Sequence, residues 1–190
     1  FARRRWGFVV CVLNMKGVFF QQQVEYGLEV AGEEWRQGDP LSCVLRVKNH
    51  GSAAKSLSGV SLSLAVGNLK KIKQKAEDAF TTIAAADLSI SSEIEPQQDL
   101  SFDWTFKIDN NFSIADKASS PYILFGPADG EESNGQLPVA LQPHPHIQVL
   151  HRILETTFRF VLKQQRSAKG WVEAKFKPSS APRFSTLEHL

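Results

Sequence analysis

The stretch LQPHPHIQVLH, residues 141–151, brings His144, His146 and His151 together in sequence. Imidazole is a common zinc and copper ligand, and a closed tetrahedral zinc site needs about four N, S or O donors. His144 and His146 flank Pro145 in an extended segment, so their side chains would project to the same side. His151 would follow about one helical turn into the next element, with an Asp or Glu as the fourth ligand. A structural reading competes. Pro143 and Pro145 fix a turn into a helix, where a histidine caps or faces solvent, and no cysteine lies in the segment. The connector outweighs the metal site.

A second set of candidates lies in NLKKIKQKAEDAF, where Lys70, Lys71, Lys73 and Lys75 precede Glu77 and Asp78. Such an edge can meet an acidic peptide, a phosphorylated tail or anionic lipid. A solvated strand edge, guarded by lysines against aggregation, is the plainer account. If the stretch is helical, Lys71 and Lys75 repel while Lys73 and Glu77 attract. Signs of catalysis are sparse. The chain has no G-x-S-x-G, H-E-x-x-H, Walker loop or Gly-rich dinucleotide turn. Glu93 and Glu95 flank Ile94 and share a face, but two carboxylates there read as a polar strand end rather than an acid/base pair. The expectation is a chain that is not an enzyme and uses no cofactor.

The elements that must position these residues alternate with period two. Val24, Tyr26, Leu28 and Val30 fall on one face, and Leu41, Cys43, Leu45 and Val47 on one face of the next run. Gln37-Gly38-Asp39-Pro40 supplies the turn between them. Val60, Leu62, Leu64 and Val66 repeat the pattern, as do Leu100, Phe102, Trp104, Phe106 and Ile108. Strands at this spacing predict two packed antiparallel sheets, an immunoglobulin-like sandwich. Leu45, Val47, Leu62, Leu64, Phe102, Trp104 and Phe106 should line the space between them. LPVALQPHPH reads as a strand that ends in a proline-restricted segment. IQVLHRILETTF then changes period and is the best amphipathic helix, and FRFVLKQQ with GWVEAKFKP reads as a hairpin.

Composition agrees. The 190 residues are 42% hydrophobic and 22% charged, enough for a real core, and thirteen Phe with four Trp make it aromatic. A net charge of +2 argues against nucleic acid. Cys11 and Cys43 cannot build a disulfide framework, which favours a reducing, cytoplasmic setting. FARRRWGFVVCVLN precedes the only methionine, Met15. Its apolar run is too short for a membrane span, and residues 1–14 read as a non-native or upstream leader.

YGLEVAGEEWRQGDPLSCVLRVKNHG resembles the opening of an arrestin-fold N-domain, a strand, a short G-D turn and a second strand. SISSEIEPQQDLSFDWTFKIDNNFS is similar to the family's I-x-P…F-x-F-x-I segment, with Asp109-Asn110-Asn111 where a proline is usual. Sporulation-control-type bacterial arrestin-like proteins and the retromer arrestin-like subunit are the parallels, over roughly residues 17–165. No residues match the phosphate-sensing polar core of visual arrestins, so the resemblance implies the fold rather than an activity. It implies an all-β chain with one short helix. Residues 15–142 form an N-terminal sandwich and residues 143–155 a Pro/His connector with the helix. Residues 156–190 form a hairpin that begins a second sandwich or joins the first sheet. The function it implies is a non-catalytic scaffold or regulatory module that binds protein partners. An open sheet edge would favour a homodimer, and the lysines could touch anionic membrane peripherally. The alternative is a metal-dependent or carbohydrate-processing sandwich using His144, His146 and His151.

Overall fold

The computed structural model describes residues 14–57, 59–86, 88, 92–128, 134–168 and 171–179. The leader assigned to residues 1–14 falls outside them except for Asn14, as does most of the acidic loop ADGEESNG. In chain order the elements begin with β1 (Asn14–Gln21), β2 (Val24–Ala31), β3 (Glu34–Arg36) and β4 (Pro40–Asn49). Then come β5 (Lys55–Leu57), β6 (Val60–Asn68), α1 (Leu69–Lys73), β7 (Phe80–Ala86), β8 (Ser92–Ile94) and β9 (Asp99–Lys107). The chain continues with β10 (Ser119–Pro127), β11 (Gly135–Pro138), β12 (Ala140–Gln142), α2 (Pro145–Thr156), β13 (Phe160–Ala168) and β14 (Trp171–Pro178).

Two four-stranded antiparallel sheets form the body. The front sheet runs β1-β2-β4-β9 and the back sheet β11-β10-β6-β7. The period-two runs explain the stacking. Val24, Tyr26, Leu28 and Val30 of β2 and Leu41, Cys43, Leu45 and Val47 of β4 are all buried, while the residues between them are more exposed. Val60, Leu62, Leu64, Ile123 and Phe125 meet them from the back sheet in one core. β1 lies beside β11 and β2 faces β10, so β9 and β7 share the opposite margin. The β1–β11 seam is filled by Phe125. A Cβ on Gly135 would stand 2.5 Å from that ring, so only glycine lets the ring lie there.

That arrangement corrects part of the expected core. Leu45, Val47, Leu62, Leu64 and Phe106 are buried, but Phe102 and Trp104 are only half-buried against it. β9 is an edge strand, and small residues, Ala84 and Ala86, come from β7 at that margin. The expected run LPVALQ also splits. Val139 breaks it into β11 of the back sheet and β12, which pairs in parallel with β3. A second helix, α1, stands where the lysines are. β13 and β14 form a two-stranded sheet of their own and join neither large sheet.

The stability consequences are ordered by burial. Leu45→Ala should cost about 2–5 kcal/mol through lost burial and the cavity left behind. Full burial would have made Trp104→Ala cost about 3–5 kcal/mol, and its half-burial lowers that to about 2 kcal/mol. Urea unfolding of the two variants checks this. A larger loss at Trp104 than at Leu45 would contradict the packing.

Candidate functional site

The four lysines lie on and just after α1, a helix rather than a strand edge. Asn68 starts it: its side-chain Oδ1 accepts hydrogen bonds from the Lys70 and Lys71 backbone N–H at 3.1 and 3.2 Å. Lys75 reverses the chain with a φ of +53°, a region that non-glycine residues rarely adopt. Lys71 pairs with Asp78 rather than repelling Lys75, and that hydrogen bond, with the Lys71 charge, holds the Asp78 carboxyl below its ordinary range. Lys70, Lys73 and Lys75 are exposed and make no ion pair among the described residues. The Lys73–Glu77 attraction expected of a helix does not form.

The helix folds back over the outer face of the back sheet. Ser63, Ala65 and Gly67 of β6 pair there with Leu124, Tyr122 and Ser120 of β10. A Cβ on Gly67 would stand 2.7 Å from Ile72 Cδ1, 2.8 Å from Phe80 Cε1 and 2.9 Å from Tyr122 Cδ2. The absent side chain is what lets all three close over it. Phe80 and Tyr122 meet edge to face with ring centroids 5.4 Å apart. Beside them lies a cavity of about 660 Å³, with Ile72, Ala76, Phe80 and Leu124 among its apolar walls and Lys75, Glu77 and Gln136 among its polar ones.

The histidines separate. His144 caps α2, its Nδ1 accepting from the His146 backbone N–H at 3.3 Å, and Pro145 follows as the first helical residue. The rings of His144 and His146 lie 4.7 Å apart at 67°. His151 stands instead against Phe176, 5.2 Å away at 72°. Among the described residues no group of three or more His, Cys, Asp or Glu is placed to hold a metal. The triad that a metal site at His144, His146 and His151 requires is not assembled, because one ring nitrogen caps the helix and the third ring is occupied by packing.

α2 carries no buried residue. Of its apolar stripe, Val149, Leu150 and Ile153 are exposed, as is Phe158 just beyond it. Val161 is exposed on β13, and Trp171 at the start of β14 is 76% exposed. Phe160 and Phe176 are the buried residues of the hairpin among those described. This unit is tied to the body by Gln37, a buried amide whose Oε1 accepts from the His144 N–H at 2.9 Å and whose Nε2 donates to Phe112 O at 2.6 Å. Sequence reading placed Gln37 only in a turn, and its isolated position gave no signal of this role. Elsewhere, Cys43 is a free buried thiol, pushed up to about 12 by burial and then by the Asp103 charge, and so is no nucleophile. Glu93 and Glu95 are exposed beside buried Ile94.

Two outcomes follow from this geometry. Gly67→Ala should destabilise the chain by about 1–3 kcal/mol and release α1. Tryptic cleavage at Lys70, Lys71 and Lys73 faster than in the parent would show it; unchanged cleavage would contradict it. Burial lowers the His151 pKa from its ordinary 6.5, with the Glu155 charge opposing. A freed ring then takes a proton before the packed one does, so the packing is fully present above about pH 6.5 and weakens as pH falls toward the depressed value. The protection of α2 amides, with exchange corrected for its own dependence on pH, should fall as pH drops below about 6.5, and His151→Phe should remove the change.

No protein-family model and no curated protein matches the chain in sequence. Among solved structures it is similar to Spo0M, a sporulation control protein from Bacillus subtilis. The TM-score is 0.69 at 16% identity, over 89% of this chain and 73% of that one. The C-terminal domain of wzt (TM-score 0.39, 6% identity, 70% of this chain and 81% of that one) is too distant to bear on the fold. So is the alkylpurine DNA glycosylase AlkC of Pseudomonas fluorescens (TM-score 0.35, 10% identity, 60% and 28%). The chain has an arrestin-like β-sandwich fold, as the resemblance implies.

Proposed function

We propose that this chain is a non-catalytic regulatory module of arrestin-like type that binds a protein partner in the cytoplasm. The observation that carries the reading is the exposed apolar face of α2, β13 and β14, which the Gln37 amide and the β3–β12 pairing fix to the sandwich. An exposed apolar patch of this kind marks an interaction surface. The fold likeness to a sporulation control protein is in keeping with a regulatory role. Among the described residues, no helix is long and apolar enough to cross a membrane.

The hairpin also bears on self-association. A lone two-stranded sheet is marginal in water, and β13 and β14 pair only with each other among the described residues. β13 and β14 begin a second β module on this reading, and a second copy completes it by adding a strand at an open edge.

Leu150→Asp and Ile153→Asp test the surface, because both residues are exposed and their replacement leaves the core intact. Capture from an extract of the native cell should retain a defined protein on the parent chain and at least about tenfold less on the double variant. Equal retention by both would contradict the reading. Light scattering of the purified chain should show a dimer that grows with concentration, and a strict monomer would contradict strand addition.

A further inference from the structure

We propose that the groove between α1 and the outer face of the back sheet docks an acidic segment of a partner protein, which inserts one aromatic or large aliphatic side chain. This deepens the reading above and rests on it in requiring a protein partner, but it uses none of the α2, β13 or β14 residues. Three observations converge. The cavity, about 660 Å³, has the size of a specific binding pocket, and Ile72, Phe80 and Leu124 give it apolar walls. Lys75 lines it from the left-handed turn that follows α1. Lys70 and Lys73 stand exposed on the adjoining turn without an ion-pair partner among the described residues, whereas Lys71 is neutralised by Asp78.

The charge decides what enters. Four lysines stand against Glu77 and Asp78 over residues 70–78, a local excess of positive charge around a hollow whose own lining pairs Lys75 with Glu77 and keeps its apolar walls at Ile72, Phe80 and Leu124. Acidic side chains on the incoming segment answer the lysines from outside, while its ring enters the hollow, within reach of a cation–π contact with Lys75. A bilayer presents a flat surface that does not reach a concave floor. Nucleic acid needs a longer basic track than a chain of net charge +2 presents.

The test uses the full chain and a fluorescent peptide of about ten residues with one phenylalanine between glutamates. Anisotropy should show saturable binding that weakens about tenfold when the phenylalanine becomes alanine. The double variant Lys73→Glu/Lys75→Glu should weaken it at least about tenfold, and Ile153→Asp should leave it unchanged. Raising salt from about 0.05 to about 0.5 M should weaken binding to the parent chain as well. Absence of saturable binding, or binding indifferent to the lysine variant, would overturn the proposal. So would lysine-dependent binding to phosphatidylserine vesicles without binding to the peptide. A captured partner that depends on Leu150 and Ile153 but ignores Lys73→Glu/Lys75→Glu would overturn the groove alone and leave the wider reading standing.

Discussion

Strand β4 is the constraint on which the rest of the molecule depends. It pairs with β2 on one side and β9 on the other, and its inward residues Leu41, Cys43, Leu45 and Val47 are all buried. Because side chains alternate with period two, a slip of one residue would bring Ser42, Val44, Arg46 and Lys48 into the core. Burying Arg46 and Lys48 without partners would be prohibitive, so the hydrophobic pattern fixes which face of β4 turns inward. β2 and β9 pair with it so that their own apolar faces turn the same way.

Both ends of β4 are then secured by a buried amide. Gln37, just before the strand, binds the 109–112 turn and the start of α2. Asn49, its last residue, donates from Nδ2 to Ala53 O at 2.9 Å and Ile94 O at 3.1 Å, and accepts from the Gly51 N–H at 2.8 Å. Hydrogen-bonded buried amides specify a geometry that apolar contacts alone leave soft. Asn49 holds the β5–β8 corner closed, while Gln37 sets where the C-terminal unit leaves the body. The sandwich is therefore a rigid frame, and the surfaces that remain for binding are those its amides and glycines position.

How much of this was legible depended on range. The burial of β2 and β4 was readable residue by residue, because alternation is a local signal. Pro143 to Pro145 likewise announced a helix start, and His144 is its cap. What failed was non-local or short. Phe102 and Trp104 alternate as faithfully as Leu45, but only sheet order shows that β9 lies at a margin. The five residues of α1 are too few to show a helical period, and the Asn68 cap was the one available cue. The lysines were visible in the sequence. The hollow beside them was not, since Gly67, Phe80, Leu124 and Gln136 meet only through strand pairing.

The central claim is that a sandwich locked by β4 carries a less stable C-terminal unit whose apolar face stays open for a partner. Native-state amide exchange of the full chain measures both parts at once. The account predicts the slowest exchange in β2, β4, β6 and β10, and exchange through smaller openings in α2, β13 and β14. Equal protection of α2, β13, β14 and β4 in a dilute monomer would contradict it, because the C-terminal unit would then be part of the locked core with no face left to offer.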